Sequence, residues 1–297
     1  MSAMPSRLEP LSAPRGREAG RFAADRGQNG SDGGMNVSPG GPPPALLETD
    51  GLTLRIGART LLESLSLRVA PGELWCVIGS NGSGKTTLLH ALAGLRAADA
   101  GSVRLAGKLL ADWQATDAAC LRGLLPQTLH DAFSASVLEV VLMGRHPHLA
   151  RWAWEDDGDR SVARAALRAV DLDTLETRDV TTLSGGERQR VGIAALLTQN
   201  PLLLLLDEPV AHLDLHHQIV VLEHLRALVH DGGRAAVLSI HDLNLARRFA
   251  SHALVLGGAE PRLGPVDEVM NETILSEAFG HAVRRAQVGP HTVFVPA

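Results

Sequence analysis

A glycine-rich segment at residues 79–86, GSNGSGKT, constrains the fold of this chain more than any other feature. It fits the pattern G-x-x-x-x-G-K-[ST], in which backbone N–H groups surround a chain of phosphates. The apolar run Leu74–Ile78 precedes it at strand length, and leucines at helical spacing follow it as far as Leu95. A strand, a glycine-rich turn and a helix in this order direct several N–H groups and the positive end of the helix dipole to one point. We therefore predict a polyphosphate site here, and not merely a turn of the chain.

Two side chains of this segment have individual expected roles. Lys85 is expected to reach the β- and γ-phosphates, and Thr86 to offer its hydroxyl to Mg²⁺. The full set of predicted nucleotide-binding residues in the segment is Gly79, Ser80, Asn81, Gly82, Ser83, Gly84, Lys85, Thr86 and Thr87.

The composition is that of a globular protein without a nucleic-acid-binding face. Hydrophobic residues make up 45% and charged residues 21% of the 297 positions, and the net charge is −5. A surface dedicated to nucleic acid is normally basic, and a base-stacking platform needs exposed aromatic residues. This chain has only 5 Phe and 4 Trp and no Tyr. We therefore expect no nucleic-acid partner.

The cysteine content and the lack of long apolar runs predict a chain of the reducing cytosol. Cys76 lies in the apolar strand and is expected to be inert core, whereas the pattern assigns no role to Cys120. No apolar run reaches the length that a bilayer span requires, and the N-terminus lacks the apolar block of a secretion signal. Any membrane role is therefore expected to come through a partner protein.

The chain divides into an extension and one large domain. Residues 1–46 are rich in Gly, Pro, Ser, Ala and Arg without hydrophobic periodicity, and are predicted to be disordered; Met35 remains an alternative start. Residues 47–297 are predicted to form one nucleotide-binding domain that begins with two half-buried strands, at 52–56 and 61–69. A helical subdomain is expected as an insert at about 128–186. Within it, His146 and His148 flank Pro147 and are interpreted as a helix end and not as a metal site.

Strands alternate with helices along the rest of the domain, which predicts a mostly parallel sheet. An all-leucine strand at 202–206 delivers Asp207 and Glu208, and a second buried strand at 235–240 delivers His241. Ligands bind at the carboxyl ends of such strands, so Gly79, Asp207 and His241 are expected to converge on one crevice. The predicted fold class is α/β: a P-loop NTPase core with a mostly parallel sheet, N-terminal antiparallel strands and an inserted α-helical subdomain.

The strand-end residues suggest phosphoryl transfer to water. Asp207 is expected to bind Mg²⁺ through water, and Glu208 to polarise the attacking water as general base. The reaction needs mainly positioning and charge stabilisation. His241 is expected to hydrogen-bond the γ-phosphate. The alternatives are a solvated surface glutamate at 208 and a purely structural histidine at 241.

These motifs together resemble the nucleotide-binding subunit of ABC transporters, over residues 47–297. The resemblance is carried by the 79–86 loop, Gln127, the segment SGGERQR at 184–190, the 202–208 segment, Leu213-Asp214 and His241. The SGGERQR segment is the most specific of these, because ordinary P-loop proteins lack it.

The resemblance implies a homodimer that forms on ATP binding, in which two head-to-tail subunits enclose two ATP molecules with Mg²⁺. Ser184, Gly185 and Gly186 of one subunit would cap the γ-phosphate that Lys85 of the other subunit holds. Gln127 would contact Mg²⁺ and take part in catalysis beside the surface that meets the membrane subunit. Asp214 would contact the nucleotide from the dimer seam.

A weaker resemblance extends to the importers of iron–siderophore, haem or cobalamin. It is carried by LEVVLMGRHPH at 138–148 and HDLN at 241–244. It implies an ATPase that energises uptake, bound peripherally to an integral-membrane permease at the cytoplasmic face of the inner membrane. A periplasmic or surface substrate-binding protein would be an indirect partner. The alternatives are a soluble ABC-type ATPase acting on nucleic acid or ribosomes, and an exporter subunit. The short spacing between Lys85 and Ser184 leaves no room for the long coiled coil of chromosome-type members.

Three positions depart from the pattern that the family commonly shows. Ile56 replaces a tyrosine that stacks on adenine, so an aliphatic base contact and loose base selectivity are expected. Ser80 replaces a proline, with little expected effect because backbone donors hold the phosphates. Ala211 replaces a Ser or Thr, which removes a possible hydroxyl contact across the dimer seam.

Overall fold

The structure is a computed structural model that describes residues 44–129, 134–150 and 154–297. The first strand begins at Leu47, where the ordered domain was expected to begin. The prediction of disorder for 1–46 lies almost wholly outside the described residues, and the domain boundaries stay predictions.

Thirteen strands and nine helices occur in these described ranges. The strands are β1 (Leu47–Ile56), β2 (Arg59–Leu65), β3 (Arg68–Val69), β4 (Leu74–Ile78), β5 (Ala100–Leu105), β6 (Lys108–Leu109), β7 (Arg122–Leu125), β8 (Leu203–Leu206), β9 (Ala235–Ser239), β10 (His252–Val255), β11 (Arg262–Pro265), β12 (Val283–Val288) and β13 (His291–Pro296). The helices are α1 (Lys85–Leu92), α2 (Ala115–Leu121), α3 (Val137–Leu142), α4 (Asp157–Ala169), α5 (Gly185–Gln199), α6 (Leu215–Gly232), α7 (Leu243–Phe249), α8 (Val266–Val269) and α9 (Glu272–Phe279).

The N-terminal strands form the predicted antiparallel sheet, in the order β2-β1-β5-β6, with β3 also paired to β1. The second predicted strand is in fact two, β2 and β3. Between β2 and β3, the side chain of Thr49 makes the hydrogen bonds that a backbone pair would otherwise make. Its Oγ1 donates to the carbonyl of Leu65 and accepts the N–H of Leu67, both at 2.9 Å. Because this bond replaces a backbone pair, the strand changes partner without leaving polar groups unpaired.

The central sheet has the order β11-β10-β4-β9-β8-β7, and all its pairs are parallel except β10–β11. The mostly parallel sheet is therefore confirmed. Every residue of β4, β8 and β9 is buried. This pattern is typical of strands covered by other layers on both faces.

Alternate residues of these strands face two separate cores. Leu203, Leu205 and Val237 face the layer that contains α1 and the N-terminal sheet. Their neighbours Leu204 and Leu238 face the layer built from α3 to α7. The period of two along each strand thus decides which side chains point toward the glycine-rich loop and its helix.

Helices α3 and α4 lie in the stretch where a helical insert was expected, and they pack against α5. The interpretation of His146 and His148 as a helix end is confirmed, because a 3₁₀ helix, Met143–His148, continues directly from α3 and ends at His148. His148 Nε2 donates to the carbonyl of Gln199 at 2.7 Å, and Arg145 donates to that of Thr198 at 3.2 Å. These two side chains satisfy carbonyls at the end of α5 that have no partner within that helix.

Two expectations about the elements on either side of the glycine-rich loop have different outcomes. Cys76 is buried, as expected, and burial raises the pKa of its thiol. The helix after the loop ends at Leu92 and not at Leu95, which is 68% exposed. Gly94, with φ +72°, turns the chain away at this point.

Within the three described ranges, no helix combines the length and the apolar character that a bilayer span needs.

Candidate functional site

A crevice of about 570 Å³ opens beside the carboxyl ends of β4, β8 and β9. It brings together the glycine-rich loop and two strand-end residues, Glu208 and His241. The predicted residues in its lining are Asn81, Gly82, Gly84, Lys85, Thr86, Thr87, Gln127, Glu208 and His241. Ile56, Arg59 and Leu61 from the β1–β2 hairpin complete it. Gly79, Ser80, Ser83 and Asp207 are not part of the lining.

The glycines of the loop allow close backbone approach. A Cβ on Gly79 would lie 2.5 Å from the carbonyl oxygen of Leu256, so only glycine fits between β4 and β10 there. Gly84 has φ +102°, which favours glycine, and it directly precedes α1. A Cβ at this position would lie 3.3 Å from that of Leu61. The conformation of the glycine-rich loop at Gly84 therefore depends on the position of the β1–β2 hairpin, which carries Leu61.

Lys85 is 6% exposed and lies across the loop. Its Nζ donates to the carbonyls of Gly79 at 2.9 Å and Ser80 at 3.2 Å. Burial lowers the pKa of its ammonium group, and the nearby charges of Glu208 and Asp207 oppose that shift. The cation and the two carboxylates thus belong to one electrostatic cluster.

Asp207 is fully buried, and one of its two carboxylate oxygens accepts a hydrogen bond. Its Oδ1 accepts a hydrogen bond of 2.6 Å from Ser239 Oγ, whereas Oδ2 has no partner among the described residues. A buried carboxylate oxygen without a donor is costly unless a cation neutralises it. Carboxylate and hydroxyl oxygens are the ligands that Mg²⁺ prefers. The residues present therefore fit a magnesium ion.

Glu208 occupies a strained and partly enclosed position. Its φ is +50°, in the left-handed region that non-glycine residues seldom adopt. Its side chain is 15% exposed, and Oε1 accepts a hydrogen bond of 2.6 Å from His241 Nε2. A solvated surface glutamate would show neither feature, and such strain clusters at functional sites.

The SGGERQR segment begins α5 with a capping box. Ser184 Oγ accepts the N–H of Glu187 at 3.3 Å, and the carboxylate of Glu187 accepts the N–H of Ser184 at 2.8 Å. The bond from the Ser184 N–H, and a second bond from the Ser184 hydroxyl to the same carboxylate, lower the pKa of Glu187. A Cβ on Gly185 would meet open space, whereas one on Gly186 would lie 3.2 Å from the carbonyl of His212. Ser184, Gly185 and Gly186, the three residues predicted to contact the γ-phosphate of a facing subunit, lie outside the crevice of their own chain.

Asp214 also lies outside that crevice, at the N-terminus of α6. It accepts the backbone N–H of His217 at 2.9 Å and contacts the ring nitrogen Nδ1 at 2.8 Å. The backbone bond and then the side-chain bond lower the pKa of this carboxyl. Its predicted role at a dimer seam involves a second subunit and stays a prediction.

Four residues at or beside the site were given no individual role from the sequence: Arg59, Leu61, Gln189 and Ser239. Gln189 on α5 donates to the carbonyls of Glu208 and Pro209, both at 3.4 Å, and so joins α5 to the segment that follows β8. Ser239 is the last residue of β9 and precedes His241 by two residues. Its position beside Asp207 follows from the order of the strands in the sheet.

Taken together, the fold and the crevice define a P-loop nucleotide-binding protein. The sequence profile of the ABC transporter family matches residues 62–211. A hemin import ATP-binding protein of Gloeobacter violaceus is 44% identical over 243 residues, which cover 79% of this chain and 87% of the relative. A protein of the same name from Streptomyces coelicolor is 40% identical over 258 residues, covering 84% of this chain and 89% of the relative.

Solved structures agree. A metal-chelate type ABC transporter in an inward-facing conformation matches with TM-score 0.75 and 30% identity, over 85% of this chain and 98% of that one. A bacterial Atm1-family exporter with ATP bound matches with TM-score 0.66 at 23% identity, which shows a shared fold alone.

The chain belongs to the ABC transporter family. It is an ATP-binding subunit whose ATPase activity is coupled to transport, of the importer type. This membership implies dimerisation and membrane permease partners.

Proposed function

We propose that this chain hydrolyses ATP to drive the import of haem or a related iron chelate. The observation that carries the hydrolytic part is that Lys85, Glu208 and His241 line one crevice beside a P-loop, with the buried carboxylate of Asp207 close enough for its charge to act on Lys85. The cargo is supported by the names of relatives at 40–44% identity and by the metal-chelate transporter of similar structure.

Each group has a proposed part in hydrolysis. The loop N–H groups and Lys85 hold the phosphates. Glu208 accepts a proton from the attacking water, and His241 orients that water. Asp207, Thr86 and Gln127 would hold Mg²⁺, which when bound supplies positive charge to the phosphate oxygens. Ser184, Gly185, Gly186 and Asp214 act on the nucleotide of the facing subunit, through the N–H groups and dipole at the start of α5.

The partners and the location follow from this proposal. Two copies close on two ATP molecules, and an integral-membrane permease binds them at the cytoplasmic face of the inner membrane. A substrate-binding protein on the other side delivers the cargo. Because the cargo touches those partners, its identity depends on them more than on this chain.

Glu208→Gln tests the hydrolytic role. The amide keeps the size of the side chain but accepts no proton, so ATP turnover should fall at least about 100-fold while ATP still binds. Turnover is measured by phosphate release and binding by equilibrium titration. Glu223→Gln, at an exposed glutamate of α6, is the control and should leave both unchanged. Turnover by Glu208→Gln close to that of the wild type would show that Glu208 is not the base.

Hemin uptake tests the cargo. A strain without this gene should lose growth on hemin as sole iron source, and the wild-type gene but not the Glu208→Gln gene should restore it. Undiminished hemin uptake in the deletion strain would contradict the proposed cargo, whereas the ATPase result above would still stand.

A further inference from the structure

The register of the central sheet places Ser239 next to the two acidic residues. Leu205 pairs with Val237 and Leu206 with Leu238, so Asp207 and Ser239 follow side by side as β8 and β9 end. Both side chains continue the rows that face the α1 layer. Ser239 is fully buried, and its hydroxyl is therefore available only to neighbouring protein groups or to a ligand.

The direction of its hydrogen bonds is determined by chemistry. Ionised Asp207 can only accept, so the single hydroxyl proton of Ser239 goes to Oδ1, at 2.6 Å. The hydroxyl oxygen then accepts the backbone N–H of Glu208 at 2.8 Å. One hydroxyl thus holds the side chain of the first acidic residue and the backbone of the second.

The two hydrogen bonds of Ser239 determine the orientation of the Asp207 carboxylate and the backbone conformation of Glu208, on which hydrolysis would depend. The bond to Oδ1 leaves Oδ2 of Asp207 as the oxygen without a partner among the residues that the structure describes. The bond from the Glu208 N–H stabilises a residue whose φ of +50° is otherwise unfavourable. The Glu208 carboxylate meets His241, which follows Ser239 by two residues. The end of β9 therefore holds Glu208 at both its backbone and its side chain.

We infer that Ser239 is a positioning residue for ATP hydrolysis, which aims Asp207 Oδ2 at the metal and Glu208 at the attacking water. The inference rests on the proposed function of this site. Ser239 itself does not contact the nucleotide in this proposal. Partners that orient a metal-binding carboxylate typically contribute about 10- to 100-fold to metal affinity or activity.

Three variants test this inference. Ser239→Ala removes both hydrogen bonds, and Ser239→Thr keeps the hydroxyl on a residue suited to a strand. Thr198→Val is the matched control, since the Thr198 hydroxyl is equally buried but has no partner in the described structure. Each variant is checked by its thermal unfolding transition before use, and Ser239→Cys replaces Ser239→Ala if the latter does not fold.

We measure kcat and KM for ATP, and separately the affinity of the ATP-bound chain for Mn²⁺ by electron paramagnetic resonance. Ser239→Ala should lower kcat and weaken Mn²⁺ binding by about tenfold or more with little change in KM, and Ser239→Thr should restore both. Thr198→Val should match the wild type. Wild-type Mn²⁺ affinity and kcat in Ser239→Ala, or equal losses in Ser239→Ala and Ser239→Thr, would overturn the inference. If the wild type itself showed no turnover, the proposed function would fail, while Mn²⁺ affinity would still decide the role of Ser239.

Discussion

At the scale of single residues, the end of β8 places two neighbouring carboxylates in different environments. Asp207 and Glu208 are adjacent, yet one is fully buried and the other contacts His241 beside the crevice. The strained φ of Glu208 turns successive side chains to these different environments. The two neighbours can therefore serve a metal and a water molecule at once.

Ile56 is expected to contact the adenine base, at a position where the family commonly has tyrosine. Ile56 is 55% exposed at the rim of the crevice. Ile56→Tyr should tighten ATP binding by about 1 kcal/mol, because a ring on the hairpin can stack on the purine. The same change should leave the affinity for inorganic tripolyphosphate unaltered. Equal changes for both ligands, measured by calorimetry, would show that Ile56 does not lie near the base.

The charge on Lys85 predicts a pH dependence of ATP binding. Burial lowers the pKa of this group below 10.5, so on raising the pH it loses its proton before an exposed lysine does. ATP affinity should therefore decline between neutral pH and 10.5 in the wild type. Lys85→Ala should bind weakly at every pH without that decline. A wild-type affinity that stays constant over this range would contradict a role for the ammonium charge.

Sequence reasoning located most crevice residues because they follow buried strands or glycine signals. It missed Ser239, whose meaning depends on which strand lies beside β8. Strand order is a property of the sheet and not of the local pattern, and the order β4-β9-β8 brings Ser239 to Asp207. Arg59 and Leu61 were missed for a related reason, since only the packing of the hairpin against Gly84 brings them to the crevice.

At the scale of elements, two helices begin with the same device and provide an internal comparison. Ser136 with Glu139 caps α3, and Ser184 with Glu187 caps α5, with N–H to Oγ distances of 3.3 Å in both. Ser136→Ala and Ser184→Ala should each lower the free energy of unfolding by about 1 kcal/mol. Only Ser184→Ala should also lower ATP turnover, because α5 alone is proposed to face a nucleotide.

Denaturant unfolding and phosphate release measure the two effects. Loss of turnover in both variants, or in neither, would show that the start of α5 has no role beyond its cap.

Local signals predicted these elements well and their ends less well. Acidic residues stand at the start of α4 and Ser184 stands at the start of α5, and both are N-terminal helix signals that can be read in the sequence. The predicted end of α1 was wrong, and the 3₁₀ continuation of α3 was not predicted. The end of α1 was misplaced because leucines at helical spacing continue past Gly94. The 3₁₀ helix extends through Pro147 because Arg145 and His148 form hydrogen bonds with the end of α5. Helix ends depend on such tertiary partners.

At the scale of the whole molecule, the nucleotide crevice and the proposed capping surface do not meet within one chain. Lys85 lines the crevice, whereas Ser184, Gly185 and Gly186 lie outside it. A complete site therefore requires a second copy in the proposed dimer. The resemblance to the family supplied this idea, and no pattern of spacing or composition in one chain would have produced it.

Defined heterodimers test this requirement most directly. Lys85→Ala disables the cradle, and Gly185→Glu places a negative charge at a position where a side chain meets open space, so the helix should fold while repelling a phosphate. In a Glu208→Gln background, subunits with two different affinity tags are mixed, the heterodimers are isolated, and the ATP they retain is counted.

If sites form between subunits, a Lys85→Ala subunit paired with a Gly185→Glu subunit keeps one intact site and retains one ATP. A subunit carrying both changes, paired with an otherwise unchanged subunit, then retains none. The reverse pattern, with ATP retained only when both changes share one chain, would show that each subunit completes its own site and would contradict the head-to-tail dimer.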